Sequence, residues 1–126
     1  MLLGDYVDGG PESRRVLARL VARERAAHVV ALQGNHDQMM LDARRDYLRY
    51  EAWMESGGDQ TLASYVPKKS RGRLADVPEA HWEFLERCVP AHETATHLFA
   101  HATLHPELPL ADQPPYLLRW EKLSFH

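Results

Sequence analysis

MLLGDYVDGG, residues 1–10, is the stretch whose reading decides the fold. Met1, Leu2 and Leu3 form an unbroken apolar run, the pattern of a strand covered on both faces. Gly4 lets the backbone leave that strand, Asp5 and Asp8 follow three residues apart, and Gly9 and Gly10 give the freedom a tight loop needs. Two carboxylates delivered by a strand end are either site residues or, taken alone, turn formers that hydrogen-bond their own backbone.

Working outward, residues 28–32 (HVVAL) form a second short apolar run, and Gln33, Gly34, Asn35, His36 and Asp37 follow it. A second strand is therefore expected to end in glycine and ligand-capable side chains. Between the two, residues 11–27 carry Val16, Leu17, Leu20 and Val21 at helical spacing, with Arg14, Arg15, Arg19, Arg23 and Arg25 around the rest of the turn. Pro11 suits the first helical position, so the unit reads strand, helix, strand. With the usual right-handed crossover both loops lie beyond the carboxyl ends of parallel strands, where open α/β sheets gather their ligands.

At these residues the chain resembles the calcineurin-like metallophosphoesterases, and within them bacterial enzymes similar to serine/threonine protein phosphatases and diadenosine tetraphosphatases. Gly4-Asp5-Tyr6-Val7-Asp8-Gly9-Gly10 looks like the family's GDxxDRG, and Gly34-Asn35-His36-Asp37 looks like its GNHD/E. Leu98-Phe99-Ala100-His101-Ala102 looks like the later strand that ends in a metal-binding histidine. The resemblance implies an α/β fold, the central part of a calcineurin-like β-sandwich flanked by helices, as one partial domain over residues 1–126. It implies hydrolysis of phosphate monoesters, on a phosphorylated protein or a small phosphate ester, by a hydroxide activated between two divalent ions.

The roles carry over residue by residue. Asp5 resembles the carboxylate that bridges the two metals, and Asn35 and His101 complete much of one metal site. His36 resembles the general acid that protonates the leaving oxygen, oriented by Asp8. A carboxylate partner suits that task because it keeps the donating proton of the imidazole available. Oxygen and nitrogen ligands admit manganese, iron, zinc or nickel. Asn35 and, by position alone, Arg14 are candidates for gripping the phosphate.

The departures are equally specific. The family begins with a D-x-H strand ahead of GDxxDRG and continues to a G-H-T or G-H-x-H segment, neither of which these residues contain. One or no metal ion is accordingly expected on this span alone. Gly9 replaces the family's phosphate-gripping arginine, whose planar fork matches two phosphate oxygens, and Gln33 replaces a frequent arginine before GNHE. An alternative to the enzyme is therefore a degenerate, non-catalytic relative that binds or regulates, or that needs a partner to complete the site.

Composition sets outer limits. With 126 residues, 44% hydrophobic and 26% charged, the chain can bury a single core. A net charge of -3 argues against bulk nucleic-acid binding, and Lys68, Lys69, Arg71 and Arg73 read as a solvated loop. Cys88 is the only cysteine, so no internal disulfide can form, and no apolar run is long enough to span a membrane. A cytoplasmic setting is the expectation.

Residues 38–54 suggest one helix with a broad apolar side, Met39, Met40, Tyr47, Tyr50, Trp53 and Met54 included, stopped by Gly57 and Gly58. Its methionines and aromatics read as core packing. Asp59 is placed to cap a short helix ended by Pro67, and residues 68–77 read as a loop. Pro78 opens a helix that reaches Cys88 with Trp82, Leu85 and Cys88 inward. Residues 91–102 suggest a hairpin, and residues 116–123 a last helix with Trp120 inward.

Overall fold

The computed structural model describes residues 1–121. The first two apolar runs do lie side by side in parallel, bridged at Leu2 and Ala31. The Leu2 amide donates to Val30 O at 2.9 Å, and the Leu32 amide to Leu2 O at 2.8 Å. A third segment, expected only as the tail of a helix, joins them. Val89 bridges Leu32 in parallel through Val89 N to Ala31 O at 2.9 Å and Gln33 N to Val89 O at 2.8 Å. The middle run thus has backbone partners on both sides, and Ala31 and Leu32 are buried in it.

The longest ladder among the described residues is antiparallel, β1 (Ala91–Glu93) with β2 (Leu98–Ala100), in register Ala91 to Ala100 and His92 to Phe99. This is the expected hairpin. The result is an α/β arrangement whose parallel layer is held by single bridges. Two packed sheets of a β-sandwich do not form among the described residues.

Helices cover this layer. In α1 (Ser13–Ala26) Leu17 and Val21 are buried, while Val16 faces outward. The single helix expected over residues 38–54 is instead two, α2 (Asn35–Ala43) and α3 (Tyr47–Trp53). The break is chemical: Asp46 adopts an extended conformation and its carboxylate accepts the Arg49 amide at 2.9 Å, starting a new helix. The start moves as well, since Asn35, His36 and Asp37 form the first turn of α2. Gly57, at φ 112, turns the chain rather than stopping it, and α4 (Asp59–Ala63) follows with Gly58 as its cap and Asp59 already inside.

Helix α5 (Glu79–Arg87), preceded by Pro78, packs on α1 and α2 and buries Trp82, Phe84 and Leu85. Cys88 is buried beside them, and burial pushes its thiol up to about 12, the state of an inert apolar filler. Met40 is fully buried too, which makes it packing rather than a soft-metal ligand.

The last helix, α6 (Pro115–Arg119), is shorter than expected, and its buried residue is Leu118; Trp120, expected inward, is 43% exposed. Positions 122 and 123 of the expected helix lie outside the described residues. Backbone bonds from Ala102 N to Leu118 O at 2.9 Å and Thr103 N to Leu117 O at 3.0 Å bring α6 back beside His101. The intervening proline-rich loop is closed by one buried side chain: Gln113 accepts the His105 amide at 2.7 Å and donates to His105 O at 2.9 Å and Leu108 O at 2.7 Å. No helix among the described residues is long and apolar enough to cross a membrane.

Candidate active site

The loop after the first strand and the start of α2 are drawn together by Asp37, a residue that the motif contains but to which sequence reasoning gave no task. Its carboxylate is fully buried and accepts three backbone amides: Asp5 N at 2.7 Å, Tyr6 N at 2.9 Å and Gly34 N at 2.9 Å. Burial pushes the Asp37 carboxyl up to about 6, against those donors, which pull it down. The Tyr6 hydroxyl makes a second tie, donating to Leu32 O at 2.6 Å and accepting the Gly4 amide at 3.0 Å. Glycine is required at position 34, because a Cβ there would overlap the Asp5 carboxylate and amide. The loop itself is held in unusual backbone, with Asp5 at φ 58 and Asp8 at φ 71, left-handed values that aspartate tolerates better than most residues.

Within this frame the Asp8 side chain has no exposed surface and is fully partnered. It receives the Thr61 hydroxyl at 2.6 Å, the Trp53 indole N–H at 2.7 Å and His36 Nδ1 at 2.9 Å. Burial raises the Asp8 carboxyl above its ordinary range, opposed by the hydrogen bonds from Thr61, His36 and Trp53. Since a carboxylate only accepts, the His36 proton in this contact sits on Nδ1. The ring is thereby oriented, with Nε2 as its outward working atom.

The second cluster is of opposite character. Asp5 Oδ1 accepts the His36 amide at 3.1 Å, at the positive end of α2, and Asp5 Oδ2 lies 3.1 Å from His101 Nε2. His101 Nδ1 is 2.6 Å from Leu3 O, and because a carbonyl only accepts, Nδ1 carries a proton. Nε2 is then either protonated or a bare lone pair facing a carboxylate. The Asn35 side-chain amide ends 3.2 and 3.3 Å from the two Asp5 oxygens and 3.3 Å from His101 Nε2. With its nitrogen inward it donates to them; with its oxygen inward, oxygen and nitrogen lone pairs converge as a divalent cation requires. These three side chains fit one such ion in part. Among the described residues no three His, Cys, Asp or Glu side chains could hold a metal by themselves.

All five motif residues, Asp5, Asp8, Asn35, His36 and His101, are thus brought together. Arg14 is not among them: its backbone amide donates to Ser64 Oγ at 3.0 Å, and its exposed side chain lines a separate depression with Arg15 and Ser64. Two residues that border the site lay outside the sequence reading. Trp53 looked like core packing, and nothing in its sequence context marks its N–H as an Asp8 donor. Arg119 is a lone cation on a five-residue helix, yet it lines a depression of about 440 Å³ with Asp5, Asn35, His101, Trp120 and Glu121.

Comparison with known proteins supplies a family. The calcineurin-like phosphoesterase family model matches residues 1–122. Serine/threonine-protein phosphatase 1 of Salmonella typhimurium (strain LT2) is 30% identical over 122 residues, 95% of this chain and 48% of its own length. The chain thus spans about half the length of that curated relative. No solved structure matches the chain significantly.

Proposed function

The chain belongs to the calcineurin-like phosphoesterase family, and from that premise we propose that it carries the acid-histidine part of the site of a metal-dependent phosphomonoesterase of the serine/threonine protein phosphatase type. The observation that carries this reading is the pairing of His36 Nδ1 with a buried Asp8 at 2.9 Å beside the acceptor-rich group of Asp5, Asn35 and His101.

Asp5, Asn35 and His101 would hold a divalent cation, and such an ion supplies charge neutralisation of phosphoryl oxygens and a lowered pKa for water. The rest is done by the protein. Asp8 holds the His36 ring with Nδ1–H inward, and the imidazolium form presents Nε2–H to the leaving oxygen. As water attacks phosphorus, losing a proton to solvent, and the P–O bond to the leaving group breaks, the Nε2 proton passes to the departing alkoxide, and solvent returns one to Nε2 afterwards. Asp37 keeps the Asp5 loop and the His36 helix in fixed relation, so a small displacement there would separate the acid from the phosphoryl group. The relative's name favours phosphoserine or phosphothreonine as the substrate class.

The test is manganese-dependent hydrolysis of p-nitrophenyl phosphate by the chain, with metal content measured on the same samples. Hydrolysis is expected to require the metal, to vanish in Asp5→Asn together with bound manganese, and to fall by about 10²–10⁴-fold in His36→Asn, the range for a lost general acid, with metal retained. Absence of both bound metal and turnover would overturn the enzyme reading for this chain. It would favour a non-catalytic relative, the reading that Gly9 in the family's arginine position supports.

A further inference from the structure

We infer that Arg119 is the phosphate-gripping cation of this site, a task that rests on the hydrolase reading above and that the chain has moved from the Gly9 loop to α6. Asp5 borders two depressions. One, about 380 Å³, is lined by Gly9, Gly10, Glu12 and Val16 among others, and contributes no cation. The other, about 440 Å³, is bordered by Arg119 together with Asn35 and His101. Among the described residues, an oxyanion approaching the Asp5 group therefore meets a guanidinium only on the α6 side.

That guanidinium is held in place. Arg119 Nε donates to Gln33 Oε1 at 3.0 Å, and Gln33 is itself buried, its amide nitrogen donating to Leu85 O at 3.4 Å. Arg119 Nη1 adds a bond to Pro115 O at 3.4 Å. Gln33 precedes Gly34 at the head of α2, so the residue that orients the arginine is covalently joined to the turn that carries Asn35 and His36. The clamp occupies Nε and part of Nη1, and among the described residues Nη2 meets no acceptor, which leaves it, with the charge, for a ligand. A planar fork fixed by an amide oxygen suits two oxygens of a tetrahedral phosphate, where a lysine would offer only a point charge. Glu121 borders the same depression, so an anion there is held only where the guanidinium outweighs that carboxylate.

Inorganic phosphate is the probe, titrated against tryptophan fluorescence, because Trp120 lines the depression and is 43% exposed. Titrations with and without manganese, and manganese binding by calorimetry, are compared for the wild-type chain, Arg119→Ala and Arg119→Lys. Phosphate binding is expected to weaken by about tenfold or more in Arg119→Ala and by a smaller factor in Arg119→Lys, with manganese affinity unchanged. If turnover is present, KM for p-nitrophenyl phosphate should rise in the same order. Gln33→Leu should raise KM more than it lowers kcat, which a merely structural role would not do. Equal phosphate affinity in wild type and Arg119→Ala overturns the assignment, as does a wild-type chain that binds no phosphate. Should Arg119→Ala fail to fold, Arg119→Lys decides by the same criterion. The two proposals fail separately: phosphate binding that depends on Arg119 without hydrolysis would remove the hydrolase reading alone, and hydrolysis indifferent to Arg119 would remove this one alone.

Discussion

The Asp8 cluster and the Asp5 cluster lie on one loop, three residues apart, yet they are finished to different degrees. Asp8 is sealed from solvent and met by three donors, from Thr61, Trp53 and His36. Asp5 is exposed and faces a histidine nitrogen and an amide that are themselves capable acceptors. The first is complete with protein atoms alone, while the second leaves acceptor atoms facing one another. The half of the site that holds His36 is thus part of the folding core, and the half that gathers Asp5, Asn35 and His101 is a surface added to it.

The sharpest way to break this contrast is to remove each carboxylate in turn. Asp8→Ala leaves the Trp53 N–H buried without a partner and the Thr61 hydroxyl with only its longer bond to Ser13 Oγ at 3.2 Å, and at roughly 1–3 kcal/mol for the orphaned group plus about 1 for the lost bond the expected loss is about 2–4 kcal/mol. Asp5→Asn, in contrast, should change stability by less than about 1 kcal/mol, since the position is exposed and asparagine tolerates a positive φ. Urea unfolding of the two variants checks this; equal losses would mean that the clusters are not distinct in the fold.

Acid sharpens it next. Burial raises the Asp37 carboxyl from its ordinary 3.8 to about 6, so between those values the folded chain binds more protons than the unfolded one. Its contribution is therefore fully present below the lower value and is lost as pH rises through the upper one, up to about 3 kcal/mol in all. Asp8, raised by burial, acts in the same direction. Unfolding midpoints at pH 4.5 and pH 7 should show this slope in the wild type and a smaller one in Asp37→Asn, which cannot titrate. The variant should also be weaker at both values, because its NH₂ group meets an amide donor.

The smallest expected effect concerns Gly9. A Cβ there meets nothing within 4 Å, so an arginine can be introduced without a clash at its base. Gly9→Arg should raise kcat/KM on p-nitrophenyl phosphate by roughly tenfold, the worth of a charge-assisted hydrogen bond in a partly open site. No gain would mean that Arg119 already meets the need.

Much of the candidate site was legible because its residues sit in short motifs whose spacing survives folding: Asp5 with Asp8, Asn35 with His36, and His101 at the end of an apolar run. Val89 was not, since one bridging residue after a helix carries no period. The break between α2 and α3 was hidden by apolar residues that keep helical spacing across it, and only Asp46, acting as a cap, betrays it. Trp53 and Thr61 look like core residues and are so, yet their polar atoms bond Asp8, a contact between residues more than forty positions apart in the chain. Arg119 depends on the return of α6, which is fixed by backbone bonds to Ala102 and Thr103 and leaves no trace in composition.

One clamp described above bears on how such a chain can vary. Gln113 closes the loop after His105 with two hydrogen bonds to the His105 backbone, which hold the ends of the loop together, and a third to the backbone carbonyl of Leu108, which any replacement loop can offer in its turn. Residues 106–112 are in effect a replaceable cassette. Longer or shorter versions could be spliced in while His101 and Arg119 keep their separation.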